Sequence, residues 1–252
     1  MSFKPFQNTA ISLAREASKI ILQNIDRLDR LKIQEKAHDD YVSNIDQQVD
    51  RLLCEKITEL YPEHNILSEE SNTHINKDGS DYLWVIDPID GTYNFISGIP
   101  IFAISIALLY KNEPVVGVIY QPMSDELFTA SQGEGAKLNN VRIRATPNPK
   151  LNNAIITSTK GNGALSGIPE KYLAKFNVPV RQRAIGTAAL SIAYQACGRF
   201  CLYYGRNLKL WDIAAGIIIA KEAGAVVQYQ QQQPHTITEI VSGDTSILKL
   251  TL

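Results

Sequence analysis

The sequence predicts a mixed fold, α+β in its first half and α/β in its second, and three observations carry the prediction. Apolar residues recur at helical spacing in two segments before residue 61. Short apolar runs separated by turn residues follow, in the pattern of an antiparallel meander. Beyond Pro147 and Pro149, strand and helix patterns alternate, as in layered α/β structure. That proline-flanked stretch divides the chain into an N-terminal subdomain, 1–146, and a C-terminal one, 147–252.

Ile11, Ala14, Ala17, Ile21 and Ile25 lay one apolar face along an opening helix. Val49, Leu52, Leu53, Ile57 and Leu60 do the same for a second helix over 44–60. Ser43 is its N-cap, Asp46 lies in its first turn and Pro62 stops it. Strands are predicted over 65–67, 82–86, 101–110, 115–120 and 127–130, with Asn139-Asn140 as a hairpin turn. A strand over 154–158 opens the alternating half. The glutamine run 230–233 before Pro234 reads as an exposed loop. No internal repeat is evident.

The gross numbers exclude several function classes. The chain has 252 residues, 44% of them hydrophobic, enough to bury a sizeable core. Lys+Arg number 25 against Asp+Glu 26, so no global field attracts nucleic acid or an anionic membrane. Nucleic acid is not expected as a partner. Cys54, Cys197 and Cys201 are odd in number and widely spaced, which makes no disulfide framework. Cys197 and Cys201, on one helical face, read as buried thiols and not as half a zinc site. The N-terminus is amphipathic and charged where a secretion signal is apolar. No stretch approaches the roughly 20 apolar residues of a membrane span. A cytoplasmic protein is expected.

The densest signal is Trp84-Val85-Ile86-Asp87-Pro88-Ile89-Asp90-Gly91-Thr92-Tyr93-Asn94-Phe95. An apolar strand delivers two carboxylates into a Pro/Gly turn, and Gly91-Thr92 opens a short helix. Carboxylates at the end of a buried strand suit a hard cation, and helix-start amides suit a phosphate oxygen. An acidic turn with Asp90 as helix cap is an equal reading of the same residues. Spacing excludes an EF-hand, because glycine falls fifth from Asp87 and Gly98 stands twelfth. Two residues separate the aspartates where an aspartyl-nucleophile phosphatase has one. Gly161-Asn162-Gly163 lacks the Lys-Ser/Thr ending of a phosphate loop.

Three further segments are ambiguous when taken singly. Ser68-Glu69-Glu70-Ser71 reads as surface decoration. Trp211-Asp212-Ile213-Ala214-Ala215-Gly216 reads as an N-capped apolar helix. Ala184-Ile185-Gly186-Thr187-Ala188-Ala189 reads as a strand-to-helix turn whose amides face an anion, or as tight helix packing.

Together and in this order, the segments resemble the inositol monophosphatase family. Asp87-Pro88-Ile89-Asp90-Gly91-Thr92 with Asn94-Phe95 is similar to its main signature. Glu69-Glu70-Ser71 and Trp211-Asp212-Ile213-Ala214-Ala215-Gly216 are similar to two others. Asp40-Tyr41-Val42-Ser43-Asn44-Ile45-Asp46 resembles the segment before the second helix.

The resemblance implies a layered α-β-α-β-α sandwich of the inositol monophosphatase / fructose-1,6-bisphosphatase type, commonly homodimeric. The subdomain 1–146 would carry most metal ligands and 147–252 would complete the active site. Glu69, Asp87, Asp90 and Asp212 would bind two or three Mg²⁺ ions through their carboxylates, and Ile89 through its carbonyl. Thr92 and Asp46 would orient and deprotonate the attacking water, while Asp46 read alone is a favourable charge in a helix's first turn. Gly91 and Thr92 would present amides to phosphate; Gly186, Thr187 and Ala188 would line the alcohol side. The implied activity is Mg²⁺-dependent, lithium-sensitive hydrolysis of a small phosphate monoester, inositol-monophosphate-like or a sugar phosphate, by metal-activated water with no covalent intermediate.

Departures bear on the substrate. Gly205 stands seven residues before Asp212, where the family usually places a glutamate, and Arg206 follows it. A substrate with an extra anionic group, contacted by Arg206, is one consequence; a solvated loop is the other reading. Ser68 replaces a usual glycine. The alternatives are a fructose-bisphosphate, 3′-phosphonucleotide or histidinol-phosphate phosphatase, or a regulatory protein that retains the fold.

Overall fold

Alternating apolar residues give the large sheet two buried faces, and the rest of the chain is arranged to cover them. The computed structural model describes residues 2–30, 32–37, 40–71, 79–146, 154–160, 167–233 and 235–248. Pro147, Pro149, Gly161-Asn162-Gly163 and Pro234 lie outside them.

In chain order the elements are α1 (Lys4–Asn24), a 3₁₀ turn (Ile25–Arg30), β1 (Ile33–Ala37), β2 (Asp40–Ser43) and α2 (Asn44–Leu60). Then come β3 (Asn65–Ser68), β4 (Tyr82–Asp90), α3 (Thr92–Ile96), β5 (Ala103–Tyr110), β6 (Glu113–Gln121), β7 (Glu126–Ser131), β8 (Gly135–Leu138) and β9 (Val141–Arg142). The second half has β10 (Ala154–Lys160), α4 (Glu170–Leu173), β11 (Val180–Arg183), α5 (Ala188–Ala196), β12 (Leu202–Lys209), α6 (Leu210–Glu222), β13 (Val226–Gln233) and β14 (Thr236–Gly243).

Strands β3 to β9 form one sheet in sequential order, with β3 parallel to β4 and the rest antiparallel. A second sheet has the order β11-β10-β12-β14-β13. Trp84, Ile86, Ile104, Ile106 and Val118 on one face of the first sheet pack with Ala14, Ile21, Val49 and Leu53 of α1 and α2. Val85, Ala107, Ile119 and Phe128 on its other face pack with Ile192 of α5 and Ile213 and Ile217 of α6. The same helices meet Tyr203, Leu208, Ile237 and Ile240 of the second sheet. That sheet's outer face, with Ile156, Leu202, Tyr204 and Val241, packs on Tyr172 of α4. The layers therefore run α-β-α-β-α. Helix α6 is apolar all round because a sheet covers it on either side.

Local expectations meet three corrections. Strand β4 does not stop at 86 but runs through Asp90, with a bulge between Asp87 and Asp90 where Pro88 has no amide to donate. The glutamine run 230–233 is not a loop; it ends β13 at the sheet's edge, where Gln230, Gln231 and Gln232 are exposed. Cys197 and Cys201 share no helix: Cys197 caps α5, and Cys201 precedes β12. The thiols are half-buried, and burial pushes that of Cys54 up to about 12. The Asn139-Asn140 turn is present, with φ of 48° and 67° at its two residues.

Leu53→Ala empties space between α2 and the large sheet, where Leu53 is fully buried. Its urea midpoint should fall by the equivalent of about 2–5 kcal/mol, while Arg51→Ala on the exposed side of α2 should leave it within about 0.5 kcal/mol.

Candidate active site

Three segments bring four acidic residues together at the carboxyl end of β4. Glu69 follows β3, and its amide donates to the Ile86 carbonyl at 3.2 Å, which sets it beside Asp87. Asp87 pairs in register with Ser105 on β5, and the Ser105 hydroxyl donates to the Trp211 carbonyl at 3.3 Å. That bond draws Asp212 to the same place. Asp90, past the bulge, accepts from the amides of Ala188 and Ala189 at 3.2 and 2.8 Å.

The electrostatics follow from burial. Asp87 is 2% exposed, and burial raises its carboxyl well above the usual range, followed by the charges of Glu69, Asp90, Asp212 and Glu70. Its Oδ1 has no hydrogen-bond partner among the described residues. Asp212 is raised by burial first, then by Glu69 and Asp90. Burial likewise raises Asp90, to about 6, against the opposing hydrogen bonds of Thr187, Ala189, Ala188 and Leu190.

Two of these carboxylates are held by helix starts. Asp90 is not the cap of α3, whose N-cap is Gly91 at φ 96°, a left-handed conformation that favours glycine. It sits instead on the first amides of α5, so the Ala188 amide faces the protein's own carboxylate. Asp212 is not an N-cap either; from the first turn of α6 it accepts the Lys209 amide at 2.7 Å. Among the described residues, no three or more His, Cys, Asp and Glu side chains stand as a closed metal-holding group. The donor set is nonetheless all carboxylate and carbonyl oxygen, and the orphaned Asp87 Oδ1 is an acceptor awaiting a donor or a cation. Both features fit Mg²⁺.

Asp46 lies fully inside, where its two readings coexist. Its Oδ2 accepts the Ser43 amide at 3.0 Å as half of a capping box at the start of α2. Its Oδ1 accepts the Thr92 hydroxyl at 2.9 Å. The same hydroxyl lies 3.0 Å from the Ile89 carbonyl. Burial raises the Asp46 carboxyl despite the hydrogen bonds from Ser43 and Thr92.

Gly186 is placed by Asn94, whose amide donates to the Ile101 and Ile185 carbonyls at 2.7 and 2.8 Å. Thr187 caps α5, accepting from the Leu190 amide at 2.9 Å. Arg206 is not brought to the carboxylates. Strand alternation puts it on the face of β12 that carries Leu202 and Tyr204, opposite Tyr203 and Gly205. It is exposed there, across from Glu239. The Lys209 Nζ lies 3.4 Å from the Thr236 hydroxyl, and its charge lowers the Asp212 carboxyl against the burial that raises it.

Sequence reasoning missed Asp50 and Ser105. Asp50 is buried and accepts from the Ser68 hydroxyl, so serine in place of the usual glycine ties β3 to α2. A single polar residue in the apolar run of β5 was the available signal for Ser105.

A family model described as the inositol monophosphatase family matches residues 3–247. The Nus factor SuhB of Haemophilus influenzae is 40% identical over 227 residues, covering 88% of this chain and 84% of that one. The crystal structure of extragenic suppressor protein suhB from Bartonella henselae superposes with TM-score 0.82 at 32% identity, covering 96% of this chain and 95% of that one. An inositol monophosphatase from Anabaena gives TM-score 0.73 at 29% identity, with 97% and 93% covered.

A carboxyl with a higher pKa folded than unfolded binds its proton more tightly in the folded state. For Asp90 the window runs from 3.8 to about 6, so the metal-free fold is favoured at its lower end and loses that contribution as pH climbs through about 6. In chelator, the thermal midpoint should fall between pH 4.5 and 7, and Asp90→Asn should flatten the decline. A wild-type profile rising over that interval would contradict the burial argument.

Proposed function

We propose, from the premise that the chain belongs to the inositol monophosphatase family, that it is a Mg²⁺-dependent phosphatase of a small phosphate monoester. The observation that carries the reading is the buried, unpartnered Oδ1 of Asp87 among the charges of Glu69, Asp90 and Asp212. Like charges gathered around two buried aspartates, Asp87 and Asp90, call for cations. Glu69, Asp87, Asp90, Asp212 and the Ile89 carbonyl would hold two or three of them. When bound, Mg²⁺ neutralises the cluster, acidifies water and stabilises charge on the phosphoryl and leaving oxygens.

The chain's own residues supply the proton path. Thr92 has one hydroxyl proton and two acceptors, Asp46 Oδ1 and the Ile89 carbonyl. The charged Asp46 carboxylate is the stronger acceptor of the two, and a cation held by the Ile89 carbonyl would strengthen that preference. The Thr92 oxygen then accepts from the attacking water, and each proton moves one place toward Asp46 as the water oxygen attacks phosphorus in line. The raised pKa of Asp46 favours that acceptance. The P–O bond to the alcohol breaks, the alcohol oxygen takes a proton from solvent water, and Asp46 returns its proton to solvent. Gly91 and Thr92 offer amides to the phosphate, while the Gly186-Thr187-Ala188 turn borders the alcohol side. Since Arg206 faces away, it offers no counter-charge to a second anionic group on the alcohol, which favours an inositol-like or sugar monophosphate. Lithium sensitivity and a homodimer belong to the same reading.

A second reading rests on the relatives named Nus factor SuhB, several of them 35–41% identical: a regulatory role through partners. Copurifying RNA or polymerase, with a biological phenotype that Asp90→Asn leaves untouched, would favour it.

Phosphate release from a panel of monoesters, with Mg²⁺ and with chelator, tests the enzyme reading. Asp87→Asn should abolish turnover while leaving the metal-free thermal midpoint unchanged or higher, because it removes charge from a repulsive cluster. Full turnover in that variant, or release that ignores chelator, would sink the proposal.

A further inference from the structure

Beside its apolar face, α2 carries a polar ridge: Asp46, Asp50 and Cys54, spaced four residues apart, fall on one side of the helix. Asp46 meets Thr92 at the candidate site. Asp50 and Cys54 meet the segment Ser68-Glu69-Glu70-Ser71 instead. The Asp50 Oδ1 accepts the Ser68 hydroxyl, and the Cys54 thiol donates to the same oxygen at 3.7 Å. The Ser71 hydroxyl lies 4.0 Å from the Cys54 sulfur. One helix face thus touches the residues on either side of Glu69 and Glu70.

Packing alone does not account for Asp50. It is 5% exposed, and Ser68 is fully buried. Among the described residues, its side-chain donors are that hydroxyl and that thiol, both neutral. A buried carboxylate held by neutral donors costs more than an apolar residue of the same shape.

What Asp50 supplies is a fixed point for a short strand. β3 has four residues and stands at the edge of the large sheet, paired on one side with β4. Past its end, the Glu69 amide donates to the Ile86 carbonyl at 3.2 Å, within the sheet. A single bond of that kind leaves the strand end able to roll about it. The Ser68 bond leads out of the sheet to α2, which Val49, Leu53 and Ile57 anchor in the core. Two bonds in different directions fix the place of Glu69.

We propose that Asp50 is a positioning residue of the candidate site, which through its bond to Ser68 sets where Glu69 presents its carboxylate. The inference rests on the Mg²⁺ reading above, in which Glu69 is a ligand. Outer groups that hold a metal ligand in place typically carry about 10–100-fold in affinity, and one acting through a peptide link belongs at the lower end.

The test is calorimetric titration of the full chain with MgCl₂, together with metal-free thermal midpoints, for wild type and four variants. Ser68→Ala keeps the charge and loses the bond, while Asp50→Asn loses the charge and keeps an acceptor. Asp50→Leu combined with Ser68→Ala removes both partners and strands no carboxylate, so it folds even where Ser68→Ala alone does not. Leu53→Ala is the control for lost stability. Ser68→Ala and the double variant should weaken Mg²⁺ binding about tenfold, the double variant with an unchanged or higher metal-free midpoint. Asp50→Asn and Leu53→Ala should bind Mg²⁺ as the wild type does. Wild-type affinity in the double variant, or an equal loss in Asp50→Asn or Leu53→Ala, overturns the positioning role while leaving the cation site standing. A wild-type chain that takes up no Mg²⁺ overturns both.

Discussion

Burying like charges in one place is the constraint on which the rest of this structure depends. Three helix starts meet it. Asp46 accepts an amide at the start of α2, Asp90 at α5 and Asp212 at α6. Each helix brings the positive end of its dipole and amides with no partner inside the helix. The carboxylates supply the acceptors those helices lack, and the helices supply part of the counter-charge the carboxylates need. Asp87 has no such arrangement for its Oδ1, and on the Mg²⁺ reading a cation would take that place.

The layered architecture follows from where those helices must stand. Helix α6 carries Asp212 at its tip and is sheathed by a sheet on each side, so its position is set by packing along most of its length. Interiors packed at this density resist small displacements. A ligand at the end of such an element is held by apolar contacts far from the charge it carries.

Much of this was legible in the sequence. Helix α2, its Ser43 cap and the Asn139-Asn140 turn follow from periodicity and local hydrogen bonding, which act within a few residues. The order of acidic motifs pointed to the layered fold. What could not be read are facts about partners distant in the chain. Asp90 and Asp212 looked like caps of the helices that follow them in sequence; one serves α5, nearly a hundred residues away, and the other bonds back from within its own first turn. The glutamine run looked like a loop because an edge strand tolerates the same polarity. Arg206 stood between a substrate contact and a solvated loop, because spacing along the chain does not say which face of β12 a side chain will take until the register is known.

The bonds from Asp90 to α5 span 98 and 99 residues, and the Ser105 to Trp211 bond spans 106. A nascent or half-folded chain therefore possesses the acidic residues without possessing the cage. On the Mg²⁺ reading, a divalent ion would tell the finished molecule from its precursors, and its binding energy would accrue only to the former.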